Sequence, residues 1–341
     1  MTTQEVKRKL AAILSADVKG YSRLMGEDEE ATLQEHTKED IGLYRRFMAG
    51  RLSRRIPARR AGHTEIHHHA MTPQTGQAIM LAVICILGVS LRGYAASDSE
   101  RITFKSADSA VSAPIPATVF RPKGSGPFPA VVLLHVCSGI RAYDSKWAEW
   151  LGTLGYVAIL PDSLSPRHVS SACGGGGLTF REHALDGLGA LAYLRSQPDV
   201  IPNKVAVMGW SHGAAATLIS ASARFINATH PEGGGYQAAI AFYPNCAAFQ
   251  GGNLATPLLM LMGSADDWTP SDRCIDCGTA LQSAGTPIEW KVYKGAMHTF
   301  DDPRPNRVVR ISGRTYHLGY DRTAAKDAYD QVQRFLRTYL Q

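Results

Sequence analysis

Beyond Arg101, apolar residues fall into short continuous runs, separated by longer stretches in which they recur every three or four positions. The runs Ala117–Arg121, Ala130–His135, Tyr156–Pro161, Lys204–Met208, Ala238–Tyr243, Pro257–Met262 and Ile288–Tyr293 read as strands. The run Ala130–His135 is continuously apolar up to its last residue, as expected of a strand buried on both faces. Trp147–Leu154, Leu178–Leu194, Ala214–Ile226 and Ala324–Leu340 read as helices. Strands spaced by helices predict an α/β domain over residues 97–341, with a mostly parallel sheet covered on both sides. In such sheets, ligand sites lie beyond the carboxyl ends of the strands.

The preceding residues follow a different pattern and divide into three pieces. Residues 1–45 carry Lys7-Arg-Lys-Leu-Ala-Ala-Ile-Leu-Ser-Ala-Asp17-Val-Lys-Gly-Tyr-Ser-Arg-Leu-Met-Gly-Glu. This stretch resembles the opening strand and first helix of class III adenylate/guanylate cyclase domains, in which an aspartate matched here by Asp17 binds the catalytic metal. The resemblance implies a nucleotidyl cyclase-related signalling role as a rival function. The second metal-binding aspartate, the base-recognition residues and the Asn/Arg pair of that family do not follow, and one carboxylate cannot organise a two-metal site. A truncated, inert fragment is therefore expected.

Residues 46–70 read as a basic flexible linker. Between Ile41 and Ala70 there are seven arginines against the single Glu65, enough to account for the chain's net charge of +6. The remainder is close to neutral, so the charge is no argument for a nucleic-acid partner. His67-His68-His69 are adjacent and cannot all face one way on a regular element, so no metal is expected there. Residues 71–96 resemble a secretory signal: Ala78–Leu91 is apolar or small, too short for a comfortable membrane span, and small residues follow at Ala95 and Ala96. Translation from Met71 would make the product periplasmic or secreted; otherwise it would be cytoplasmic.

The candidate chemistry begins at Gly209-Trp210-Ser211-His212-Gly213. Between a strand and a helix, G-x-S-x-G fits a nucleophile elbow, whose glycines let strand and helix approach closely. A serine hydroxyl needs a base to take its proton. His298 in Lys294-Gly-Ala-Met-His298-Thr-Phe follows the last predicted strand and is the candidate. The imidazole needs a carboxylate to fix its tautomer. Gly263-Ser-Ala-Asp266-Asp267-Trp-Thr-Pro270 follows another strand and offers Asp266, with Asp267 as fallback. The order Ser211, Asp266, His298 is that of the α/β-hydrolase triad. Backbone N–H groups of His212 and Cys137 are the expected oxyanion donors.

Together with Leu133-Leu-His-Val-Cys-Ser-Gly139, Gly155-Tyr-Val-Ala-Ile-Leu-Pro-Asp-Ser163 and Arg181 with Asp186, these motifs resemble the dienelactone hydrolase family over about residues 100–341. The resemblance implies an α/β-hydrolase fold and a Ser211, Asp266, His298 triad, without cofactor or metal. Two departures, serine in place of the founding members' cysteine and His135-Val136 in place of His-Gly, favour broader carboxylic esters or lactones over the dienelactone itself. A peptidase or thioesterase would use the same triad. The expected partner is a small molecule, and the oligomeric state is open. In an exported protein Cys246 is expected to pair with Cys274 or Cys277. A lone Cys274-Ile-Asp-Cys277 pair does not make a zinc site.

Overall fold

The computed structural model describes residues 98–249 and 252–341. The cyclase-like, basic and signal-like segments lie outside the described residues.

The described chain runs β1 (Asp98–Phe104), β2 (Ile115–Arg121), β3 (Phe128–Leu134), α1 (Ala142–Thr153), β4 (Val157–Pro161), α2 (Phe180–Arg195), β5 (Val200–Trp210), α3 (His212–Ala221), α4 (Ala223–Thr229), β6 (Ala238–Phe242), β7 (Leu258–Gly263), α5 (Asp272–Ser283), β8 (Ile288–Tyr293), β9 (Arg307–Ile311), β10 (Arg314–Leu318) and α6 (Arg322–Leu340). Eight strands form one sheet in the order β1-β2-β4-β3-β5-β6-β7-β8. β1 and β2 are antiparallel additions at one edge, and β3 to β8 are parallel.

The two-sided burial expected of continuous apolar runs is present residue by residue. Along β3, Ala130, Val132 and Leu134 face a core shared with α2 and α3, while Val131 and Leu133 face one shared with α1 and α6. β5 divides the same way, with Val205 and Val207 on one side and Ala206, Met208 and Trp210 on the other. A strand with no solvent face has no polar positions to mark its pleat, which is why its sequence reads as a run.

The observed elements depart from the pattern in several places. The helix expected over Ala214–Ile226 breaks at Ser222, which is extended (φ −75°, ψ 137°) and whose hydroxyl accepts from the Phe225 N–H to start α4. There the backbone leaves the helix to pair with Leu254, and the Ala223 N–H donates to the Asn253 carbonyl. α1 starts before Trp147 because Asp144 accepts from the Arg141 backbone N–H and side chain, closing a charged N-terminal cap. The hairpin β9–β10 lies apart from the main sheet, in a stretch not read as structured.

Candidate active site

The turn between β5 and α3 consists of Ser211 alone, held at φ 52° and ψ −108°. A non-glycine residue with positive φ stores strain of about 1–3 kcal/mol. The surrounding backbone enforces it: the Ser211 N–H donates to the Phe242 carbonyl at 3.0 Å. A Cβ on Gly209 would lie 2.4 Å from the Gly213 carbonyl oxygen, and one on Gly213 would lie 2.0 Å from that of Leu134. Both obstacles are backbone, so neither glycine tolerates a side chain. Below the elbow, the buried Asp301 carboxylate accepts from the Trp210 indole (2.9 Å), the Trp147 indole (3.1 Å) and the Tyr243 hydroxyl (2.8 Å). Burial pushes its pKa up, opposed by the nearby Arg141 cation.

His298 sits in the loop after β8, with its Nε2 2.9 Å from Ser211 Oγ and its Nδ1 2.7 Å from Asp266 Oδ2. All three residues are buried. The loop is pinned from two sides. The Ala265 N–H donates to the Ala296 carbonyl, tying the acid loop to the base loop, and the Gly319 N–H donates to the His298 carbonyl after the chain has passed through β9–β10. Asp266 is fixed in turn: its Oδ1 accepts from the Trp268 and Thr269 N–H groups at 2.9 and 2.8 Å. With an ionised carboxylate at Nδ1, the imidazole carries its proton there and presents a lone pair at Nε2 to the serine hydroxyl. Asp267, the fallback acid, points away to His317 Nδ1 at 2.7 Å.

Nothing in the sequence singles out Thr269. Its hydroxyl lies 2.9 Å from Asp266 Oδ2, 3.0 Å from the Tyr243 carbonyl and 3.2 Å from His298 Nδ1. It fills the corner between acid and base. The Tyr243 and Trp268 rings lie 4.6 and 5.1 Å from the imidazole, centroid to centroid.

Cys137, His212 and Ser211 line one cavity of about 390 Å³. Among the described residues, no backbone carbonyl or side chain accepts from the Cys137 or His212 N–H, so both donors are uncommitted. The Cys137 sulfur is not a nucleophile, because it is bonded to Cys173. The second disulfide joins Cys246 to Cys274 and leaves Cys277 as a thiol. The Cys137–Cys173 pair is not anticipated by the sequence. With the Ala172 N–H donating to the Cys137 carbonyl at 2.8 Å, it ties the candidate oxyanion loop to the glycine run Gly174–Gly177.

Behind the elbow lie three buried histidines. His135 Nδ1–H donates to the Val136 carbonyl at 2.7 Å, and its Nε2 accepts from the Ser163 N–H. His212 Nε2–H donates to the Leu178 carbonyl, so its Nδ1 accepts from His183 Nδ1–H at 3.1 Å. Every one of these bonds is made by a neutral ring. Burial holds all three pKa values down, that of His212 to about 4. The unfolded chain takes up these protons near pH 6.5, whereas the folded chain resists them. Stability is therefore complete above pH 6.5 and falls with acidification, by about 1.4 kcal/mol per pH unit for each histidine that must charge. Thermal melts between pH 7.5 and 4.5 are expected to show this decline, and it should be shallower in His183→Gln. Equal slopes would contradict the assignment.

Comparison with known proteins agrees with this architecture. The dienelactone hydrolase family pattern matches residues 115–340. A protein of Aquifex aeolicus named "Putative carboxymethylenebutenolidase" is 23% identical over 231 residues, which is 64% of this chain and 91% of that protein. A Bradyrhizobium protein named "Probable 2-oxo-3-(5-oxofuran-2-ylidene)propanoate lactonase" is 23% identical over 233 residues, 66% of this chain and 89% of that protein. Among solved structures, a "Putative Dienelactone Hydrolase" from Klebsiella pneumoniae superposes with a TM-score of 0.57 at 19% identity, covering 72% of this chain and all of that one. The fold is that of the α/β-hydrolases, and the chain belongs to the dienelactone hydrolase family.

Proposed function

We propose that this protein is a serine hydrolase that cleaves carboxylic esters or lactones through an acyl-enzyme. The observation that carries this reading is the continuous chain Ser211 Oγ, His298 Nε2, His298 Nδ1, Asp266 Oδ2, with links of 2.9 and 2.7 Å on either side of the imidazole. Family membership supports hydrolysis in general, and the serine at the elbow supports this nucleophile.

In the proposed reaction Ser211 Oγ attacks the substrate carbonyl while its proton passes to His298 Nε2. The carbonyl oxygen becomes an oxyanion facing the Cys137 and His212 N–H groups. Collapse breaks the bond to the alkoxy group, which leaves with the proton from Nε2. A water then enters, gives its proton to Nε2, and its oxygen attacks the acyl carbon. The second collapse returns that proton to Ser211 Oγ and frees the acid. Asp266 remains ionised throughout and stabilises the imidazolium formed twice per turnover. With a lactone, acid and alcohol leave as one molecule.

The two disulfides favour an oxidising compartment, and with the signal-like Ala78–Leu91 they support export with translation from Met71. The mass of the native N-terminus tests that part separately.

The reaction class is tested with phenyl and 4-nitrophenyl esters of increasing acyl length, beside a matched thioester and a peptide amide. Turnover of esters at least about 100-fold faster than the amide is expected, because an amine is the poorer leaving group. Amide cleavage at comparable rates would replace this reading with a peptidase.

A further inference from the structure

The cavity at Ser211 is walled by the Cys137–Cys173 disulfide, the run Gly175–Gly177, Leu178, Phe180 and Trp268, with Asn245 and two threonines as its neutral polar groups. Among the described residues, no carboxylate, ammonium or guanidinium lines it. The one titratable ring on the wall apart from the triad, His212, is neutral at physiological pH, since burial holds it to about 4.

Three arginines within five residues of the lining, Arg141, Arg167 and Arg181, are committed elsewhere, and Arg273, four residues past Thr269, is exposed and does not line the cavity. Arg167 donates to both oxygens of Asp186 at 2.7 and 3.1 Å and to the Ser163 carbonyl at 2.7 Å. Arg141 is forked onto Asp144 at 2.6 and 3.1 Å. Arg181 lies over the Phe225 ring at 5.4 Å and lines a separate cleft with Asp108, Glu182 and Arg195. Moving Arg167 or Arg141 into the cavity would strand a buried carboxylate, which is strongly disfavoured. The site also contributes a negative charge of its own at Asp266. A carboxylate carried by the substrate would lose hydration, find no cation and face that charge.

Resting on the ester-hydrolase reading above, we propose that the acyl pocket selects uncharged acyl groups and rejects those carrying a carboxylate. Binding there is apolar contact with Leu178, Phe180 and Trp268, and an anionic lactone would meet the same unpaired wall. The rim offers a place to reverse this. Gly176 has no positive φ, and a Cβ added there meets nothing within 4 Å. A side chain can therefore start at that position without displacing the backbone.

Three phenyl esters of equal chain length test the proposal: hexanoate, the adipate half-ester, and the adipamate, which is polar but uncharged. The expected kcat/KM for hexanoate exceeds that for adipate by about 50-fold or more, with adipamate between them. Gly176→Arg should raise the ratio of adipate to hexanoate turnover about tenfold relative to Gly176→Gln. Hexanoate and adipate within threefold of each other in the wild type, or no gain from arginine over glutamine, would overturn the proposal. If the folded protein cleaves none of the three, the ester reading fails instead. The pocket is then read by calorimetry with hexananilide and the adipic monoanilide. Tighter binding of the neutral anilide supports the proposal, and equal or tighter binding of the carboxylate overturns it.

Discussion

Ser211→Ala is expected to lower kcat for ester hydrolysis by about 10⁴-fold to 10⁶-fold, with the fold intact. The hydroxyl oxygen is the only heavy atom lost, and the other hydroxyl and sulfur groups of the cavity are held elsewhere, Thr179 Oγ1 by accepting from the Glu182 N–H at the start of α2. Cys137 is held in a disulfide, and Thr269 Oγ1 lies among the Tyr243 carbonyl, Asp266 and His298 Nδ1, on the far side of the imidazole from Nε2. Alanine keeps a Cβ at the same strained φ, so the backbone strain is unchanged and the melting temperature should move by only a few degrees. Steady-state kinetics with circular dichroism check both halves. A Ser211→Ala variant retaining more than about a tenth of wild-type kcat would remove the serine from the mechanism.

The second large effect separates two adjacent aspartates. Asp266→Asn should cost about 10⁴-fold in kcat, whereas Asp267→Asn should change it by less than about threefold. In Asp266→Asn the new side chain can still accept from the Trp268 and Thr269 N–H groups through its carbonyl oxygen, so the turn survives. Its amide then faces His298 Nδ1 as a donor. The imidazole must accept there, which moves its proton to Nε2 and presents Ser211 with an N–H instead of a lone pair. Asp267 is exposed and bonded to the exposed His317, where solvent screens the pair. Equal losses in the two variants would mean that the acid has been misassigned.

Most of the sheet was legible because its strands are buried on both faces and so stand out as apolar runs. The three triad candidates were legible because each follows a predicted strand, and their order along the chain is that of the fold's triad. What escaped depends on contacts between loops. The β9–β10 hairpin is half exposed and held by the Tyr316 ring stacked on Trp268 at 4.7 Å, an arrangement that leaves no periodicity in Arg307–Leu318. Thr269 gains its place from the turn that Asp266 caps, and threonine after a tryptophan carries no such information on its own. Cys137 and Cys173 are 36 residues apart in sequence, and only the folded loops bring their Cα atoms to 4.7 Å. The break at Ser222 was hidden by good helix formers on both sides, where tertiary pairing to Leu254 outweighs local propensity.

Intact mass after treatment with a fluorophosphonate reports whether Ser211 is an activated nucleophile. The folded wild-type protein is expected to gain one adduct, located by peptide mapping to Ser211, and Ser211→Ala is expected to gain none. A folded wild-type protein that takes up no adduct, or one that carries it on another residue such as Ser138, would contradict the account.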